Sequence, residues 1–188
     1  PGVDRLNVMP AIRALSGNAD IGEKVVIIGG GGIGAEIATY LARRWTLRPE
    51  VIEFLQEYDA LDPASPHYRQ RGHAVTLVTR QKRPGGSIGG GTRWVVVKEL
   101  EHAGVRTVNG VVTRCITDKG VVVSRRGEEQ LLEADTVLLA TGLKPNLQLY
   151  ESLKEKKLAP EIYQVGDPQL ASHAIHTVKE AFKLALRI

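Results

Sequence analysis

Apolar residues along this chain fall in short runs divided by glycine-rich or charged segments, and their period changes from run to run. Val25-Val26-Ile27-Ile28 is unbroken and follows the charged pair Glu23-Lys24, the signature of a strand buried on both faces. A glycine cluster comes next, and then residues 35–43 carry apolar side chains at helical spacing. The pattern predicts a second buried strand over 72–78 and a helix over 92–102. Short strands are predicted at 106–108, 111–116, 120–124 and 130–132, and a last buried strand over 135–139. A β-α-β unit, a helix, an antiparallel section and a closing strand make an α/β fold with a β-meander insertion.

The flanks are less regular. Residues 10–15 are a short apolar helix candidate before the loop signal Ser16-Gly17-Asn18, so residues 1–22 read as a crossing segment. Between the first helix and the second strand, residues 45–71 form an insertion. Its amphipathic stretch (Val51, Phe54, Leu55, Tyr58) is expected to serve packing, and Asp62-Pro63-Ala64-Ser65-Pro66 reads as a surface loop. After Gly142 come a turn at Lys144-Pro145-Asn146, a strand over 161–165 closed by Gly166-Asp167, and an amphipathic helix over 172–187. One strand and one helix cannot close a core, so this part must pack onto something else.

Composition narrows the function classes. With 188 residues, 43% apolar and 24% charged, the chain has the make-up of a globular protein with one substantial core or two small ones. Its apolar runs are too short to span a bilayer, so no membrane partner is expected. The net charge of +4 invites a nucleic-acid reading, but the basic residues lie in scattered pairs (Arg43-Arg44, Arg125-Arg126) without an aromatic stacking series. No nucleic-acid partner is expected. Cys115 is the sole cysteine, which excludes a disulfide framework or a cysteine-built cluster in this segment and fits a reducing, cytoplasmic compartment. The chain opens on Pro1 without a signal-peptide pattern and is expected to be a piece of a longer polypeptide.

The chemistry concentrates in Gly29-Gly30-Gly31-Gly32-Ile33-Gly34. Gly29, Gly31 and Gly34 spell G-x-G-x-x-G between a strand and a helix, with Gly32 and Ile33 inside the turn, which is the Rossmann dinucleotide fingerprint in its proper context. Gly29 allows the tight turn, Gly31 lets backbone approach a pyrophosphate, and Gly34 with Ala38 lets helix and strand pack closely. The helix N-terminus then faces the phosphates with free N–H groups and the positive end of its dipole.

The residue that reads the adenosine ribose stands at the end of the second strand in such folds. Here that strand runs into Val78-Thr79-Arg80-Gln81-Lys82-Arg83, with three cations and no carboxylate. Arg80, Lys82 and Arg83 therefore point to the 2′-phosphate of NADPH rather than the 2′-hydroxyl of NADH. A second glycine cluster, 85–91, either cradles another phosphate at the next helix or forms a mobile loop beside the cofactor. No catalytic side chain is evident. His173 and His176 are expected to be a partly exposed helical pair rather than a metal site, Ser16, Ser87 and Ser172 lack a nucleophile-elbow sequence, and Cys115 is expected to be a small buried strand residue.

The order of these motifs resembles the pyridine nucleotide-disulfide oxidoreductase superfamily, in which an NAD(P)H domain is inserted within an FAD domain. Lys24 to Ala38, the strand ending at Arg80, Ala140-Thr141-Gly142, and Val165-Gly166-Asp167 before a last helix carry the match. More closely, the insertion, Lys82-Arg83-Pro84-Gly85, Trp94 and the closing Leu184-Ala185-Leu186-Arg187-Ile188 resemble the C-terminal nucleotide-binding region of bacterial 2,4-dienoyl-CoA reductases and related NADH:flavin oxidoreductases of the old yellow enzyme branch. That resemblance implies a flavoprotein oxidoreductase whose other segments carry an FMN barrel, a 4Fe-4S iron–sulfur cluster and the first half of an FAD site. It implies hydride transfer from NADPH to FAD, with Gly29, Gly31 and Gly34 on the pyrophosphate and Arg80, Lys82 and Arg83 on the 2′-phosphate. Thr141 and Gly142 would line the cofactor cleft, and Asp167 would bind the FAD ribityl chain.

The organisation it implies is residues 1–22 crossing from the FAD-type half, 23–142 as the NAD(P)H-binding Rossmann domain, and 143–188 as the remnant of a partial FAD-type domain. The partners would be the dinucleotide and the missing FAD and FMN-barrel segments, and this piece alone would be inactive. The alternative is a vestigial nucleotide (ADP) module, structural in role, of a trimethylamine dehydrogenase-like protein.

Overall fold

The computed structural model describes residues 1–17, 19–44, 49–61, 72–86, 88–157, 159–166 and 174–188, with the side chain of Pro49 left aside. Two compact units divide it, Pro1–Thr141 and Gly142–Ile188. The first is built on a five-stranded parallel sheet ordered β1-β8-β2-β3-β4, with β1 (Val8–Pro10), β2 (Lys24–Ile28), β3 (Ala74–Thr79), β4 (Arg106–Asn109) and β8 (Thr136–Leu139). A three-stranded antiparallel sheet, β5 (Val112–Thr117), β6 (Gly120–Arg125) and β7 (Glu128–Glu133), fills the connection from β4 back to β8. The α/β, Rossmann-type fold with a meander is therefore present.

The unbroken apolar runs are explained by what covers each face. Successive strand side chains point to opposite faces. On one face Val25, Ile27, Val75, Leu77 and Leu138 pack with Ile37 and Leu41 of α1 (Gly32–Arg43) and Leu100 of α3 (Gly90–His102). On the other, Val26, Val78, Val108 and Val137 pack with Val121, Val123 and Leu132 of the meander. With helices on one side and a sheet on the other, neither face can be polar.

Chain direction turns at β2. The chain moves outward from β2 to β3 to β4, then returns through the meander to β8 on the opposite side of β2. Ile28 stands opposite both Val78 and Leu139. The carboxyl ends of β2 and β8 thus flank a topological switch point, the place where open α/β sheets take their ligands.

Several sequence expectations change. The short helix expected over residues 10–15 is present as a 3-10 helix (Ala11–Ser16), but it is preceded by a strand that was not expected, β1, which is paired to β8 with Val8 opposite Val137. Three residues are too few for alternation to reveal a strand. The insertion's amphipathic stretch forms α2 (Pro49–Glu57), but Phe54 and Tyr58 are exposed and pack on each other, ring centroids 4.8 Å apart, instead of entering the core. Cys115 lies on β5 as expected but half-buried, beside the register shift between Thr113 and Cys115.

The second unit holds α4 (Gln148–Glu155), which periodicity did not suggest, and α5 (Ala174–Ala185). Residues 161–165 are not a strand, because no β-strand of this unit is present among the described residues for them to pair with. The Gly166 N–H instead donates to Glu180 Oε2 of α5 at 3.3 Å. Neither helix has a buried residue. Among the described residues, no helix is long and apolar enough to cross a membrane.

One ion pair ties β2 to the meander. Lys24 Nζ donates to Glu133 Oε2 at 2.6 Å. That hydrogen bond, and the lysine's charge, hold the Glu133 carboxyl below its usual range, while Glu133 raises Lys24. The glutamate's contribution is present above the ordinary carboxylate range and lost as pH falls through its lowered value; the lysine's is lost as pH rises through its raised one. Both groups are exposed, so the effect is small and screened by salt. Glu133→Gln is accordingly expected to lower the melting temperature slightly at neutral pH, with the deficit shrinking as pH falls through the lowered carboxyl value, below which both proteins are neutral at this position.

Candidate functional site

The glycine cluster sits at the switch point, and backbone hydrogen bonds fix it there. The Gly29 N–H donates to Val78 O at 2.9 Å and the Ala140 N–H donates to Ile28 O at 2.8 Å, each extending the ladder one residue beyond the strands. Gly29 takes φ +122, and a Cβ there would collide with the Ala140 carbonyl. At Gly30 it would strike the Thr79 side chain, and at Gly34 the Gly29 carbonyl. Gly31 precedes α1, with the first helical bond running from the Ala35 N–H to Gly31 O at 3.0 Å. A helix start leaves its first-turn N–H groups without acceptors inside the helix, and the positive end of the helix dipole favours anions at such a turn; Gly31 to Gly34 form that turn here. Gly34 is buried and Ile33 exposed. The residues present fit a pyrophosphate.

Arg80 follows the last residue of β3, the strand beside β2, so the long insertion between Gly34 and Thr79 leaves it at the same end of the sheet as the glycine cluster. Arg80, Lys82 and Arg83 are all exposed. No acidic residue occurs between Thr79 and Gly91, so the fold places three cations and no competing carboxylate on this loop. Thr141 ends the first unit at the carboxyl end of β8, directly after Ala140, whose carbonyl limits Gly29; Gly142 takes φ +111. Asp167, Ser87, Ser172 and His173 lie outside the described residues.

Four supporting residues escaped the sequence reading. Thr79 is 5% exposed, packs against Gly30, and accepts the Gln81 N–H on Oγ1 at 3.2 Å. Gln81 lies against Gly86, where any Cβ would collide with its amide. Arg93 donates from Nε to Gly85 O at 3.0 Å and from Nη2 to Gly86 O at 3.3 Å. The Gly85 N–H in turn donates to Gly30 O at 2.7 Å. The front of the second glycine cluster is thus a buttress for the first, whereas Gly89, Gly90 and Gly91 at the start of α3 have open space around them. The fourth is Arg125, which donates to Asn109 O at the end of β4. Only the Arg125-Arg126 doublet hinted at it, and a doublet says nothing of where a hairpin end will lie.

Comparison with known proteins agrees with this geometry. The family model described as pyridine nucleotide-disulphide oxidoreductase matches residues 3–181. Over its full length the chain is 29% identical to a metal reductase of Desulforamulus reducens, of which it covers 28%. It resembles 6-hydroxypseudooxynicotine amine oxidase from Pseudomonas geniculata N1 with a TM-score of 0.75 and 25% identity, over 97% of this chain and 24% of that one. It also shares the fold of a 2-naphthoyl-CoA reductase, with a TM-score of 0.72 and 22% identity, over 100% of this chain and 24% of that one. The chain spans about a quarter of the length of these proteins. The chain belongs to the pyridine nucleotide-disulphide oxidoreductase family of FAD- and NAD(P)-dependent redox enzymes.

Proposed function

We propose that this chain is the NADPH-binding portion of a multi-domain flavin-dependent oxidoreductase of the 2,4-dienoyl-CoA reductase type. The observation that carries the reading is the glycine cradle at the β2/β8 switch point beside a carboxylate-free loop bearing Arg80, Lys82 and Arg83. Gly29 to Gly34 would hold the pyrophosphate, the three cations the 2′-phosphate, and Thr141, with Gly142 next to it in the chain, the cleft at the end of β8. NADPH supplies a hydride, for which FAD is the acceptor in the parent enzyme. Residues 143–188, whose helices bury no side chain of their own, read as the remnant of the FAD-type domain, with Asp167 as its ribityl contact. FMN and a 4Fe-4S cluster would belong to segments elsewhere in the polypeptide.

Calorimetric titration with NADP⁺ and NAD⁺ tests this reading. Tighter NADP⁺ binding is expected, and Arg80→Ala is expected to weaken NADP⁺ by roughly ten- to a hundredfold while sparing NAD⁺, since one charge-assisted hydrogen bond contributes about 1.5–3 kcal/mol. Steady NADPH oxidation by the flavin-free chain would contradict its role as an incomplete electron-entry module. The likeness to an amine oxidase favours a second reading, in which a nucleotide such as ADP only stabilises the fold. Equal binding of NADP⁺, NAD⁺ and ADP, indifferent to Arg80→Ala, would make that the better account.

A further inference from the structure

Arg125 is distant in sequence from every motif of the nucleotide site, yet three sets of bonds bring it there. Thr79 stands opposite Asn109 in the parallel register of β3 and β4. Beyond the strands the two chains stay together: the Gly110 N–H donates to Gln81 O at 2.9 Å and the Val111 N–H to Thr79 O at 3.3 Å. Onto this junction the end of β6 delivers Arg125, whose Nη2 donates to Asn109 O. Thr79 faces β4, so its partner Asn109 faces the outer side of β4; one strand spacing, that carbonyl's outward reach and one hydrogen bond, roughly 10 Å in all, separate the Arg125 guanidinium from the Thr79–Arg80 backbone. Both side chains are exposed, and an Arg80 side chain directed toward β4 with a phosphate between the two guanidinium groups would span that distance.

We propose that Arg125 is a further 2′-phosphate residue of the nucleotide site, closing from the meander side the cationic rim that Arg80 opens from β3. The inference rests on the NADPH reading above and extends it. Two features support a ligand role in addition to a tether. Arg125 is exposed although bonded, so the rest of its fork remains accessible. Glu128 stands opposite it in the β6–β7 register, but no ion pair joins them among the described residues. A phosphate dianion between two guanidinium groups would relieve their mutual repulsion and accept from both forks.

The test compares 2′,5′-ADP with 5′-AMP on the full chain, two ligands that differ by the phosphate in question. Arg125→Gln is expected to weaken 2′,5′-ADP about tenfold and leave 5′-AMP within about twofold. Arg126→Gln, which removes the neighbouring charge, is expected to change neither by more than about twofold. Should Arg125→Gln melt below the assay temperature, Arg125→Lys keeps the cation without the fork, and a loss confined to 2′,5′-ADP carries the same meaning. Equal losses for both ligands, or equal effects of Arg125→Gln and Arg126→Gln, would reduce Arg125 to a tether or a diffuse charge and overturn the proposal. If Arg80→Ala abolishes a 2′,5′-ADP preference that Arg125→Gln leaves intact, this inference fails alone. If the unmodified chain shows no such preference, the NADPH reading fails with it.

Discussion

Gly29→Ala is expected to abolish dinucleotide binding and to destabilise the first unit by about 2–6 kcal/mol. Two separate costs combine at this position. Its φ of +122 lies where residues with a Cβ are strained, at about 1–3 kcal/mol. The added methyl would also meet the Ala140 carbonyl, and that backbone cannot retreat freely because the Ala140 N–H is bonded to Ile28 O. Overpacking against such a wall costs roughly 1–3 kcal/mol more. Whichever way the clash resolves, the turn before α1 shifts, and the start of the helix moves with it. Urea denaturation and NADP⁺ titration check the two halves of the prediction. An unchanged midpoint together with unchanged affinity would show that the cradle adapts, and the fingerprint would lose its role as the carrier of the functional reading.

How much of this was legible beforehand follows from the kind of signal each feature leaves. The β2 run, the glycine turn and the place of Arg80 at the end of a strand each follow from a few adjacent residues, so these three positions could be read directly. Spacing alone left the place of Arg80 open because of the insertion between Gly34 and Thr79, and the parallel pairing of β2 with β3 puts it at the carboxyl end of the neighbouring strand. Features that depend on distant pairing left no mark. Residues 161–165 have strand-like composition but no strand to pair with among the described residues of their unit, so propensity without a partner misled. β1 is a strand only because β8 lies beside it. Arg93 and Arg125 matter through backbone carbonyls far along the chain, and no local pattern encodes which carbonyl a guanidinium will meet. Exposure of Phe54 and Tyr58 shows the converse error, since an amphipathic period states that a helix can be half buried and not that it is.

Leu77→Ala is expected to destabilise the first unit by about 3–4 kcal/mol without touching the site. Leu77 is fully buried between the sheet and the α1/α3 layer, among Ile27, Leu41, Leu100 and Leu138. The surrounding side chains belong to rigid strands and helices, so the cavity left by truncation cannot collapse far. The loss therefore resembles that of Gly29→Ala in size and differs from it in what a nucleotide can repair. A ligand that binds only the folded chain restores about 2.7 kcal/mol at a hundred times its dissociation constant. NADP⁺ should accordingly return most of the lost stability to Leu77→Ala, whose cradle is intact, and none to Gly29→Ala, whose cradle is not. Denaturation of both variants with and without saturating NADP⁺ gives that comparison directly. Rescue of both would mean that the nucleotide binds away from the glycine turn. Rescue of neither, with an unmodified chain that is also indifferent to NADP⁺, would mean that the turn is a structural feature of the fold and not a cofactor site.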